Sequence, residues 1–93
     1  MSAAPQPEWR HLQVEDIGDV TVVKFTDAKI DEQNVQVIFE ELFNLVEMFG
    51  GREILLNFGN VEFLSSAALG KLFTLNKKVN AAGGKLKLDN LGR

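Results

Sequence analysis

The chain has no cysteine and a single histidine, His11. Together these absences remove disulfides, thiolate metal sites and cysteine nucleophiles, and they point to a reducing compartment. One histidine with acids scattered over helix faces gives no metal-ligand set, so neither metal nor cofactor is expected. No apolar run reaches membrane-spanning length, and residues 1–7 have neither a basic n-region nor an apolar h-region. A cytoplasmic protein with no membrane insertion is therefore the expectation. Positive charge is also scarce, since 10 basic side chains face 13 acidic ones for a net charge of -3. Nonspecific nucleic-acid binding draws most of its affinity from phosphate contacts by Lys and Arg, so that class is excluded as well.

What is present fits one domain. At 93 residues, folding buries about 60 to 65% of the unfolded surface, which gives a small core and room for one site at most. Residues 1–8 read as a disordered leader and 9–93 as the domain. Trp9 to Glu15 alternates loosely, with Leu12 and Val14 on one side, and Asp16-Ile17-Gly18-Asp19 supplies turn residues before the β-branched run Val20 to Phe25. These predict a β-hairpin. Thr26 to Asn34 carries no regular pattern, and Asp31 is placed to cap the first helix. From Val35, the spacing of Ile38, Phe39, Leu42, Leu45, Val46 and Phe49 predicts that helix, which Gly50-Gly51 terminates.

Ile54 to Phe58 is an apolar run of strand length, suited to a central strand. Ala68, Leu72, Leu75, Val79 and Ala82 then recur at helical spacing, and Gly83-Gly84 ends that helix. Lys85 to Asp89 alternates, as a half-exposed edge strand does. The order is β-β-α-β-α-β. It predicts an α/β (α+β) domain with a single mixed sheet of about four strands and two main helices packed on one face, because right-handed crossovers in sequential order place both there.

Ser65-Ser66 falls at the junction of strand and second helix. One reading is structural, with one serine capping the helix and the other small enough to pack. The other comes from helix phase. Ser66, Leu69, Gly70 and Phe73 share a stripe turned away from the core stripe, so two apolar side chains beside a junction serine form a small docking surface. A phosphate there adds about -1.5 to -2 charges at a helix start that tolerates anions. A nucleophile elbow is a poor match, since the glycines of G-x-S-x-G are missing and only His11 could act as base. Gly70-Lys71 also fails as a phosphate loop, with Ser65 and Leu72 where Gly and Ser or Thr are required. The chain is therefore not expected to be an enzyme.

The run Phe63-Leu64-Ser65-Ser66-Ala67-Ala68-Leu69-Gly70, coming after a buried strand, resembles the signature loop of the STAS domain family of anti-sigma factor antagonists, and the likeness extends over roughly residues 9 to 90. The resemblance implies that unmodified protein binds a partner that is both anti-sigma factor and serine-protein kinase. Phosphorylation then releases that partner, and a phosphatase resets the cycle. Carried over by position, the acceptor is Ser66, with Ser65 as second candidate, and Ser65, Ser66, Leu69, Gly70 and Phe73 form the partner-binding set. The alternative is a STAS scaffold or assembly subunit without a phosphorylation cycle.

The chain departs from the pattern in three places. Ser65 and Asn57 stand where many members carry aspartate, and Ala68 replaces a glycine. Members usually continue beyond the strand equivalent to Lys85 to Asp89 with a further helix, so a chain ending at Arg93 reads as cut short or naturally minimal. Either case leaves apolar surface near Leu86, Leu88 and the first helix uncovered, which favours a homo-oligomer.

Overall fold

A computed structural model describes residues 9–49 and 51–90. The leader and Leu91 to Arg93 lie outside these residues, as does Gly50 of the expected Gly50-Gly51 stop. Two strands, β1 (Leu12–Ile17) and β2 (Val20–Phe25), form the hairpin. They pair antiparallel with Ile17 opposite Val20. The turn is thus tighter than the four residues expected, since Asp16 and Ile17 belong to β1. Gly18 takes φ 61, the left-handed value a two-residue hairpin turn demands. Arg52 closes this end by donating to the Gly18 carbonyl at 2.8 Å.

After β2 come β3 (Lys29–Ile30), α1 (Val35–Phe49), β4 (Glu53–Asn57), β5 (Phe63–Leu64), α2 (Ser66–Ala81) and β6 (Lys85–Asp89). The main sheet has the order β1-β2-β4-β6, with β4 parallel to both β2 and β6. This is the mixed four-stranded sheet that the element order predicts, with β6 at its edge. Both crossovers place their helices over one face. There the inward residues Val23, Phe25, Ile54 and Leu56 meet Ile38, Leu42 and Leu45 of α1 and Ala68, Leu75 and Val79 of α2, all essentially sealed from solvent. The rings of Phe25 and Phe58 stack within this layer at 4.9 Å.

Three details differ from expectation. A second, two-stranded parallel sheet pairs β3 with β5, in the stretch that shows no sequence pattern. Asp31 makes cap-type bonds one turn ahead of α1: its carboxylate accepts from the Gln33 amide at 2.9 Å and its carbonyl from the Val35 amide at 2.8 Å, so a turn lies between it and the helix. Ala82 lies past the end of α2 and is exposed, so the helical core stripe stops at Val79.

Gly70 and Gly84 make opposite demands. A Cβ at Gly70 meets nothing, whereas one at Gly84 would overlap the Arg52 carbonyl oxygen, which accepts from the neighbouring Lys85 amide. Gly84→Ala is therefore expected to lower stability by about 1–3 kcal/mol. Gly70→Ala, inside a helix, should raise it by about 0.5–1 kcal/mol. Urea denaturation monitored by circular dichroism measures both.

Candidate functional site

The serine corner is built by the second sheet and the start of α2. Ser65 has φ -73 and ψ 165, an extended conformation that places it just outside the helix, where its Oγ accepts from the Ala68 amide at 3.2 Å. Its own amide donates to the Ile30 carbonyl at 2.9 Å. With both groups engaged and only 7% of its surface accessible, Ser65 is the cap. Of the two serines in the junction, the structure thus gives the capping role to the first.

Ser66 is the first residue of α2 and is exposed. The amides of a helix's first turn lack intrahelical partners, and together with the macrodipole they favour negative charge at that end. The rest of α2 adds to this, because it carries Lys71, Lys77 and Lys78 and no acid. The opposing α1 carries Glu40, Glu41 and Glu47 and no base.

One turn along from Ser66 lie Leu69, 44% exposed, Gly70, also exposed, and Phe73, 74% exposed. A phenylalanine so open on a helix is a surface liability unless something covers it. Leu69 and Phe73 form one wall of an apolar groove of about 390 Å³, floored by Leu72 and closed on the far side by Leu86 and Leu88 of β6, with Asn76 as its polar member. The uncovered surface expected near Leu86, Leu88 and the first helix is found at Leu86 and Leu88, where it adjoins α2, and Val37 and Met48 of α1 are also exposed. No sequence pattern joins Leu86, Leu88 or Asn76 to the serine stripe, because only the parallel pairing of β6 with β4 brings that strand alongside α2. Phe63, 51% exposed, is a further apolar side chain in β5, two residues before the cap; its alternation with half-buried Leu64 was the available signal.

His11 is not beside the serines: its Nδ1 donates to Asp27 at 2.8 Å, in the segment between β2 and α1. Among the described residues no three His, Cys, Asp or Glu side chains gather as a metal site, and no helix is long and apolar enough to cross a membrane.

The four-stranded mixed sheet with both helices on one face and the serine-capped helix start make up a fold that known proteins share. The STAS domain model matches residues 11–93, and the chain belongs to that family. SpoIIAA, an anti-sigma factor antagonist solved in its unphosphorylated form, shares the fold with a TM-score of 0.69 and 19% identity over 88% of this chain and 74% of that one. So do Mglu, at TM-score 0.70 and 16% identity over 87% of this chain, and the murine anion transporter Slc26a9 in its inward-facing state, at 0.71 and 17% over 85%. The chain spans 20% of the length of Mglu and 13% of that of Slc26a9. At these identities the likeness is one of fold. No curated protein matches the sequence.

The geometry separates the two serines energetically. Ser65→Ala removes the cap and should cost about 0.5–2 kcal/mol. Ser66→Ala touches no internal bond and should stay within about 0.5 kcal/mol of the parent. Denaturant midpoints of the two variants give the comparison directly.

Proposed function

We propose that this STAS domain is a phosphorylation-controlled binding protein of the anti-sigma factor antagonist kind, acting in the cytoplasm and without catalysis of its own. Its unmodified form binds an anti-sigma factor that is also a serine kinase, through Ser65, Ser66, Leu69, Gly70 and Phe73. Phosphorylation at Ser66 releases that partner, and a phosphatase restores the binding form. The observation that carries this reading is the placement of the two serines: Ser65 is buried in its cap, whereas Ser66 is exposed at a helix start beside Leu69 and Phe73.

The physical basis is asymmetric. In the free domain an anion on Ser66 meets the positive end of α2, and the fold tolerates it. A partner packed over Leu69 and Phe73 would have to bury that charge unpaired, at a cost on the order of 3–5 kcal/mol. Affinity then falls by about two to three orders of magnitude, enough for a two-position switch. The non-catalytic reading is supported by the engagement of Ser65 Oγ in the cap on Ala68.

A second reading has its own support. The same fold makes up only a small part of two larger chains, as expected of a scaffold module or assembly subunit that needs no phosphate cycle.

The two readings diverge at Ser66. Under the first, phosphopeptide mass spectrometry of the protein from its native cell finds phosphate on Ser66. In addition, Ser66→Asp binds the anti-sigma factor at least about a hundredfold more weakly than Ser66→Ala. Equal affinity of the two variants, with no phosphate recovered, selects the scaffold.

A further inference from the structure

The serine corner does not hang from the main sheet. Residues 62–65 are bonded instead to the segment between β2 and α1. Glu62 and Phe63 amides both donate to the Ala28 carbonyl, at 2.6 and 3.2 Å, and the Ser65 amide donates to that of Ile30 at 2.9 Å. The segment therefore decides where the corner sits. Yet it contains only the two paired residues of β3, Lys29 and Ala28 are exposed, and Ile30 is its one sealed apolar anchor. Something other than burial must hold its shape.

That role falls to side-chain hydrogen bonds centred on Asn34. Its Oδ1 accepts from the Asp31 amide at 2.9 Å, and its Nδ2 donates to the Lys29 carbonyl at 2.8 Å and to Asp27 Oδ2 at 3.3 Å. The bonds span the whole segment. Asp27 is fixed in turn, because its Oδ1 accepts from His11 Nδ1 at 2.8 Å and from Thr26 Oγ1 at 3.3 Å. The backbone of His11 is tied to α1, with the amides of Arg10 and His11 donating to the Glu41 carboxylate at 3.0 and 3.1 Å. A continuous polar chain thus runs from α1 through His11, Asp27 and Asn34 to the Lys29 carbonyl and the Asp31 amide, which flank the Ile30 carbonyl that seats Ser65.

We infer that Asn34 is a positioning residue for the serine corner. It locks the 26–34 segment in the one shape that presents the Ala28 and Ile30 carbonyls to β5 and Ser65, and so sets the closed population of a unit that opens separately from the main sheet. Such local units open with lower free energy than the whole domain when few buried apolar contacts and exposed backbone bonds hold them. Opening breaks the Ser65 amide bond, frees the cap on Ala68 and changes how Ser66 is presented to an enzyme. This last consequence rests on Ser66 being the acceptor; the positioning role does not.

Amide hydrogen exchange on the intact chain tests the inference without any partner or kinase. In Asn34→Ala, exchange at Ser65 and Ala68 should accelerate about tenfold, the scale of one lost hydrogen-bond contribution, while Val23 and Leu56 in β2 and β4 keep their parental protection. Asn34→Asp retains the acceptor for Asp31 but loses the Nδ2 donor and sets a carboxylate against that of Asp27, so it too should open the corner. Unchanged exchange at Ser65 and Ala68 in both variants overturns the role, as does acceleration at all four amides alike or global unfolding of Asn34→Ala, since the role assigned is local. Failure to find phosphate on Ser66 would leave these exchange rates as expected, so the two proposals fail separately.

Discussion

The hydrogen bond from the Ala68 amide to Ser65 Oγ is the contact on which the corner depends. It fixes Ser65 as the cap, which makes Ser66 the first helical residue. Because side chains in a helix advance by about 100° per residue, the apolar spacing of α2 then sets which side of the helix each later position faces. Ala68, Leu72, Leu75 and Val79 turn inward, and Ser66, Leu69 and Phe73 are left outside.

The core and the candidate site occupy different parts of the chain. The four-stranded sheet and the inner faces of both helices form a single apolar layer, sealed by residues such as Phe25, Leu42, Leu56 and Leu75. The corner is attached to this layer through the small β3 and β5 sheet and a set of polar side chains. A charge added there meets a helix start and a basic helix surface, and the core is not involved. The same outer surface of α2 continues into the groove bounded by Leu86 and Leu88, so a bound molecule and an added phosphate would compete over adjoining ground.

Much of this was legible in the residues. Long periodic stretches gave α1 and α2 closely, and the β-branched run with Gly18 gave the hairpin, because those elements are set by patterns that repeat over many residues. The short elements were not legible. A two-residue strand such as β3 or β5 has no period, and its pairing is decided by Ala28 and Ile30 carbonyls that no side-chain pattern encodes. Asp31 has the residue type and place of a helix cap and makes cap-type bonds, but it does so across a turn ahead of α1, with Asn34 bonded back to its amide. Either serine could have been the cap; only the extended backbone at Ser65 distinguishes them. The exposure of Leu69 and Phe73 came from helical phase, whereas the wall supplied by Leu86 and Leu88 required the strand order.

The central claim is that this corner accepts a negative charge at Ser66 while the fold stays as it is. The direct measurement is an NMR comparison of the unmodified chain with a semisynthetic chain carrying phosphoserine at position 66. The account predicts amide shift changes confined to residues 62–70 and the facing 28–31 segment, with core amides such as Val23, Leu42 and Leu56 unmoved. Shift changes throughout those core positions, or loss of the dispersed spectrum, would contradict it.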